Sequence, residues 1–169
     1  MGQSSGHLLF QHRESTHRAI AYLLTSQVDY IPVTHAVHRL DGIVTPASAA
    51  HSISELEHQL RSSGAKALFT CVPLLDNALK AARAVGIPEK NIFLLPVPGV
   101  SAPSNVKTIE HLISEGKTLP PVSVQKWIPG QGKRQVAYLS YSSGTSGLPV
   151  REILPFLLFS CLTNHRKPS

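Results

Sequence analysis

An α/β fold, with a largely parallel sheet and flanking helices, is predicted by three features of the sequence. Short apolar runs rich in β-branched residues alternate with segments whose apolar residues recur at helical spacing. Glycine, proline or serine residues close most of these segments. The connections between the segments are short. Strand–helix–strand alternation with short connections is typical of parallel sheets that are covered by helices.

The first unit lies between residues 27 and 46. Its predicted inward-facing residues share one side of a helix: Val33, Ala36, Val37 and Leu40. Pro32 is compatible only with the first turn of that helix, and Gly42 supplies a stop signal. The β-branched run 43–45 then predicts a short strand that ends at Pro46.

A capping box begins the second helix. Ser52 can accept a hydrogen bond from an unpaired backbone N–H, and Glu55 can reach back to the N–H of Ser52. Gly64 ends this helix, and the apolar run 65–70 predicts the next strand. The spacing of the following apolar residues predicts a third helix, which ends at Gly86: Leu75, Ala78, Leu79 and Ala82.

The later part of the chain is less regular. A strand is predicted over 91–95, followed by a surface loop over 97–107 that is rich in proline, serine and glycine. A short helix is predicted over 108–115, with Ile109, Leu112 and Ile113 inward. Residues 116–135 are predicted to be irregular, and 136–140 is a strand candidate. Residues 1–26 show no clear period and remain an unassigned N-terminal segment.

The composition narrows the class of protein. Hydrophobic residues make up 42% and charged residues 15%, which supports a core and argues against disorder. The net charge of +6 is spread along the chain, so a nucleic-acid partner is not expected. Two cysteines are too few for a disulfide scaffold. Because no signal peptide, membrane span or C-terminal Ser-Lys-Leu is evident, an intracellular, cytoplasmic location is expected.

Other candidate sites are weaker. His35 and His38 could share a helix face, but no metal-binding motif accompanies them, so two half-exposed helix residues are the preferred interpretation. Cys71 follows an apolar strand and is expected to be a buried, inert thiol. No Gly-x-Ser-x-Gly elbow is present, so a hydrolase triad is not supported.

The segment that carries recognisable chemistry directly follows the last strand candidate. It holds four hydroxyl residues and two glycines: Ser142, Ser143, Gly144, Thr145, Ser146 and Gly147. Glycines allow close backbone approach, and successive N–H groups in such a loop form an anion-binding nest. The spacing is not that of a Walker A loop. On composition alone, a surface linker rich in serine and glycine is the preferred interpretation, and a phosphate-binding loop is the alternative.

The full string from Tyr141 to Pro149 resembles the signature loop of adenylate-forming enzymes, Tyr-Ser/Thr-Ser-Gly-Ser/Thr-Thr-Gly-x-Pro. Eight of these nine positions fit, and Ser146 keeps a hydroxyl where the second threonine is expected. Upstream, the segments 36–47 and 55–68 are similar to the early helix–strand unit of coumarate-CoA-ligase-like enzymes. Among these enzymes, the chain most resembles fungal acyl-CoA ligases. The resemblance covers residues 27–149, which implies a partial AMP-binding (adenylation) domain.

The resemblance implies an ATP-dependent ligase. Such enzymes join a carboxylic acid to ATP, giving an acyl-adenylate and pyrophosphate, and then transfer the acyl group to coenzyme A with Mg²⁺ assisting. It implies that six loop residues contact the ATP phosphates: Ser142, Ser143, Gly144, Thr145, Ser146 and Gly147. It implies no catalytic residue and no protein ligand to a metal in this chain. The acid itself is not specified, and aromatic, fatty and polyketide-derived acids stay open.

The resemblance ends after Pro149. Val150-Arg151 stands where the family has Lys-Gly, and residues 150–169 match nothing expected, so we assign them as an aberrant tail. Val-Arg can be encoded by GTA-AGA, which resembles the start of an intron. Translated intron or frameshifted sequence is therefore one hypothesis, and a truncated paralogue or decayed gene is the other.

A chain cut at this point is expected to be inactive alone, because the ribose-binding acid and the domain with the catalytic lysine are not encoded in it. Three alternatives follow: an acyl-CoA ligase by assembly or by descent, a non-catalytic nucleotide- or partner-binding fragment, and a non-functional product. Exposed sheet edges would also favour self-association.

Overall fold

The computed structural model describes residues 19–24, 29–122, 126, 128–142 and 150–156 of the 169-residue chain. Seven strands are present in the described residues: β1 (Ala19–Leu24), β2 (Ile43–Ser48), β3 (Ala67–Thr70), β4 (Ile92–Leu94), β5 (Lys107–Thr108), β6 (Val136–Ser142) and β7 (Val150–Pro155). The α-helices are α1 (Tyr30–Arg39), α2 (Ile53–Ser63), α3 (Leu75–Ala84), α4 (Ile109–Lys117) and α5 (Gln131–Arg134). Short 3₁₀ turns cover Val72–Leu74 and Glu89–Asn91.

The strands form one sheet in the order β5-β4-β3-β1-β2-β6-β7. Strands β1 to β6 pair with one another in parallel, and among the described strands only β7 is antiparallel, against β6. β1 lies in the middle and pairs with β2 on one side and β3 on the other. The predicted α/β class with a largely parallel sheet is therefore confirmed.

Helices cover both faces of this sheet. Residues of α2 and α3 pack on one face together with alternate residues of the inner strands: Ala21, Leu23, Ala47, Leu56, Leu60, Leu68, Ala78, Ala81, Ala82 and Ile92. Residues of α1 and α4 pack on the opposite face: Ile20, Tyr22, Val33, Val37, Val44, Phe69, Phe93, Ile109 and Leu112. The inner strands read as near-continuous apolar runs because a parallel sheet is buried on both faces.

Several helix boundaries are confirmed at the level of single hydrogen bonds. The Ser52 side chain accepts from the N–H of Glu55, and the Glu55 carboxylate accepts from the N–H of Ser52 at 2.8 Å, so the predicted capping box is present. Gly64 caps the end of α2 with φ of 65°. After α1, the left-handed residue is Asp41, with φ of 61°, rather than Gly42. Aspartate tolerates this conformation better than most residues.

Two inward-facing predictions were wrong. Ala36 is exposed, because α1 buries the side formed by Val33, Thr34 and Val37. Ile113 is 53% exposed, because α4 turns Ile109 and Leu112 toward the sheet instead. Both helices are short and contact the sheet along a narrow stripe, so a residue about 100° away from that stripe faces outward.

The structure contains elements that the sequence pattern does not predict. β1 lies within the N-terminal segment 1–26 and forms the centre of the sheet. The predicted irregular stretch 116–135 contains α5 and the last two residues of α4. Val150–Pro155, the first part of the expected tail, forms β7 and pairs with β6.

Candidate functional site

The predicted phosphate loop begins at the carboxyl edge of the sheet. β1 and β2 end level with each other, since Leu24 pairs with Ser48. β6 lies beside β2 in the same direction, joined at Val44–Tyr138, and its last residue is Ser142. β6 therefore ends at the edge where the other parallel strands also end. Of the predicted site residues, Ser142 is the end of β6, whereas Ser143, Gly144, Thr145, Ser146 and Gly147 lie outside the described residues.

The carboxyl edge also includes the position in the sheet where the order of strand addition switches from one side of β1 to the other. From β1 the chain moves through α1 to β2 on one side, and from β3 it moves through α3 to β4 on the other side. The helices of these two connections lie on opposite faces. Open α/β sheets bind ligands outside the carboxyl ends of strands at such a point. The architecture therefore favours this edge as the binding site.

The turn between β2 and α2 lies at the same edge. The Ser48 hydroxyl accepts from the N–H of Ala50 at 3.2 Å, and the Glu55 carboxylate accepts from the hydroxyl of Ser52 at 2.7 Å. The hydrogen bonds from the side chain and then the backbone of Ser52 hold the pKa of Glu55 below its usual value. Because this carboxylate already occupies the positive end of α2, the helix terminus is unsuited to a second anion.

His38 connects α1 to β6. Its Nε2–H donates to the carbonyl of Ala137 at 3.0 Å. Its ring meets Tyr138 and Phe156 edge-on, with centroids 5.0 and 4.7 Å apart. His38 is half-buried and His35 is exposed. Within the described residues, no group of three His, Cys, Asp or Glu side chains could hold a metal ion.

The half-buried position of His38 makes stability depend on pH. Burial lowers the pKa of His38 below its ordinary value of 6.5, His35 adds to this, and the bond to Ala137 opposes it. The unfolded chain therefore binds a proton first as the pH falls below about 6.5, and the native state loses stability there. We expect urea unfolding midpoints of the wild type to fall between pH 7.5 and pH 5 by more than those of His38→Phe. Equal slopes for the two proteins would contradict this assignment.

Aromatic side chains line the sheet beneath α1. Tyr22 stacks on Phe69 and meets Tyr30 edge-on, both with centroids 5.3 Å apart. Burial raises the pKa of Tyr22 and, to about 12, that of Tyr138, so both phenols stay neutral near pH 7. They are packing residues rather than proton-transfer groups. The signal for β1, which carries Tyr22, was the apolar run 19–24 itself, although it has no turn residues at its start.

Cys71, predicted to be a buried thiol, is 1% exposed and free. Among the described residues, every helix is too short or too polar to cross a lipid bilayer.

Comparison with known proteins gives a consistent result. The model of the AMP-binding enzyme family matches residues 6–149. The acyl-CoA ligase AFT1-1 of Alternaria alternata is 43% identical over 124 residues, which cover 71% of this chain and 21% of that protein. The acyl-CoA ligase gloD of Glarea lozoyensis is 37% identical over 145 residues, which cover 82% of this chain and 25% of that protein. The chain thus spans about a fifth to a quarter of the length of these relatives.

Solved structures show the same fold. The A-PCP didomain of a carboxylic acid reductase from Segniliparus rugosus, in complex with AMP, has a TM-score of 0.73 at 20% identity and covers 90% of this chain and 24% of that one. An acyl-CoA synthetase from Brucella canis has a TM-score of 0.64 at 18% identity and covers 89% of this chain and 26% of that one. Together with the family match over most of its length, these results show that the chain belongs to the AMP-binding enzyme family.

Proposed function

We propose that the chain carries the ATP-phosphate-binding part of an acyl-CoA ligase. The observation that carries the proposal is the course of β6, which runs parallel to β2 and ends with Ser142 at the carboxyl edge of the sheet. The proposed phosphate contacts are Ser142, Ser143, Gly144, Thr145, Ser146 and Gly147. Hydroxyl donors and the N–H groups of a glycine-containing loop are the donor set that a triphosphate requires.

The reaction we assign has two steps. An oxygen of the carboxylate attacks the α-phosphorus of ATP, forming an acyl-adenylate and releasing pyrophosphate. The thiol of coenzyme A then attacks the acyl carbon, so that a thioester forms and AMP leaves. Loop N–H groups and hydroxyls would stabilise the charge that moves onto the departing pyrophosphate. Mg²⁺, when bound to ATP, would neutralise part of the same charge.

We expect no ATP–pyrophosphate exchange from the 169-residue polypeptide alone, with any carboxylic acid. This chain spans only 21–25% of the length of its relatives. We propose that the residues that bind ribose and the carboxylic acid lie in the part of those relatives that this chain does not cover. We therefore propose the complete activity for a full-length ligase that contains such a domain. Its use of coenzyme A and its cytoplasmic location are part of that proposal. Exchange by the 169-residue chain would contradict this expectation.

Nucleotide binding can be tested on the chain as it stands. A ligand that binds only the native state stabilises it by about 2.7 kcal/mol at a concentration 100 times its Kd. We therefore expect a rise in melting temperature with MgATP that saturates, and a smaller rise with AMP, which lacks the β- and γ-phosphates. Stabilisation without exchange would identify a nucleotide-binding fragment. The same melting temperature with and without MgATP would contradict the proposal and favour a non-functional product.

Self-association is a second proposal, based on the outer strand of the sheet. β7 pairs with β6 on one side, and on its surface Ile153 is 53% and Leu154 38% exposed. Exposed apolar strands at a sheet edge pair readily with other chains. We expect sedimentation velocity to show association that Ile153→Lys weakens, whereas a monomer at all concentrations would exclude it.

A further inference from the structure

Pro46 stands in an unusual place for a proline. β2 is an inner strand, with β1 on one side and β6 on the other, and Pro46 lies within it opposite Tyr22. Proline has no N–H to donate to a ladder and is normally confined to edge strands or strand starts. Something other than regular strand pairing must therefore stabilise β2 at this residue.

A buried glutamine supplies that interaction. The side-chain Nε2 of Gln59, on α2, donates to the carbonyl of Pro46 at 2.8 Å and to the hydroxyl of Thr45 at 2.9 Å. Gln59 and Thr45 are both 0% exposed. Burying a side-chain amide costs free energy unless the amide is hydrogen-bonded. The two hydrogen bonds to β2 therefore explain why a glutamine is found at this buried position.

The same residues mark a change in the pairing of β2. Six register pairs join β2 to β1, from Ala19–Ile43 to Leu24–Ser48. In the described part of the chain, β2 and β6 share a single register pair, Val44–Tyr138. Pro46, two residues further, offers no N–H, and its carbonyl is engaged by Gln59. β2 therefore holds β6 just before the point where β6 runs on to Ser142 and the segment that follows.

We infer that Gln59 is a positioning residue for the phosphate site: it fixes the Thr45–Pro46 corner of β2 and so sets the path of the carboxyl half of β6. The expected effect on ATP affinity rests on the proposed function, whereas the expected effect on β6 does not. Gln59 itself is fully buried beneath α2. Its effect passes through β2 to β6, and small displacements of groups that position a substrate have large effects.

Gln59→Met keeps the approximate volume and removes the donor shared by Thr45 and Pro46. We expect faster hydrogen exchange in the peptide that covers Ser140–Ser142, and an ATP Kd about tenfold higher at a temperature well below unfolding. The matched control is Leu60→Val, the neighbouring buried residue of α2, which loses packing but no hydrogen bond. Gln59→Glu is a second variant, which keeps the shape and, when protonated, can restore one hydrogen bond.

The comparison with Leu60→Val separates positioning from general stability. Faster exchange at Ser140–Ser142 in Gln59→Met, but not in Leu60→Val at an equal loss of melting temperature, would support the inference, as would a partial return toward wild-type exchange in Gln59→Glu at low pH. Identical exchange in Gln59→Met and Leu60→Val would overturn it. If the wild type does not bind ATP, the proposed function fails, and the exchange comparison still decides the role of Gln59.

Discussion

Leu68→Ala is expected to lower the free energy of unfolding by about 2–5 kcal/mol, the range for leucine-to-alanine changes in well-packed cores. Leu68 is 0% exposed and lies on β3, which pairs with the central strand β1 and with β4. Its side chain faces the layer formed by α2 and α3. The surrounding parallel sheet is held on both faces and can collapse little into the cavity.

Urea denaturation followed by far-UV circular dichroism measures this loss. The matched control is Ile31→Ala, since Ile31 is 61% exposed on the first turn of α1. A change at such a surface position is expected to stay within about 0.5 kcal/mol. A cost below about 1 kcal/mol for Leu68→Ala would mean that β3 is not an inner strand.

The second large effect is expected in the loop. The double variant Thr145→Val, Ser146→Ala removes two hydroxyl donors and keeps the side-chain size nearly constant. Hydrogen bonds to charged groups contribute about 1.5–3 kcal/mol each, and every 1.4 kcal/mol is tenfold in Kd. Allowing for non-additivity between neighbours, we expect ATP affinity to fall about a hundredfold.

Isothermal titration with MgATP measures that affinity. The double variant Ser101→Ala, Thr118→Val changes the same residue types elsewhere: Ser101 is exposed, and the Thr118 hydroxyl donates to the carbonyl of Glu115 at the end of α4. It should bind ATP as the wild type does. Equal affinities of the loop variant and the wild type would remove Thr145 and Ser146 from the proposed site.

The features that the sequence predicts correctly are local. The capping box of Ser52 and Glu55 and the turn at Gly64 involve residues a few positions apart, so the pattern alone specifies them. β1 is different, because its run 19–24 becomes a strand through pairing with β2 and β3, which follow much later in the chain. The inward prediction for Ile113 failed because the orientation of a short helix depends on what it packs against.

The candidate site divides in the same way. The composition of residues 142–147 is visible in the sequence, and a strand before it is predictable. That β6 lies next to β2 is a long-range fact, as is the bond from His38 to Ala137, whose partners are 99 positions apart. The contact between Gln59 and Pro46 could not be predicted from the sequence either. A glutamine on an amphipathic helix is normally expected at the surface, and here it is buried.

Hydrogen exchange with and without saturating MgATP, read by peptide mass spectrometry, tests whether ATP phosphates bind at the carboxyl end of β6. We expect protection by MgATP in the peptide 142–149 and little change in the peptide 86–91, which precedes β4 at the opposite edge of the sheet. Protection confined to 86–91, or no protection anywhere while the protein stays folded, would contradict a phosphate site at the carboxyl end of β6.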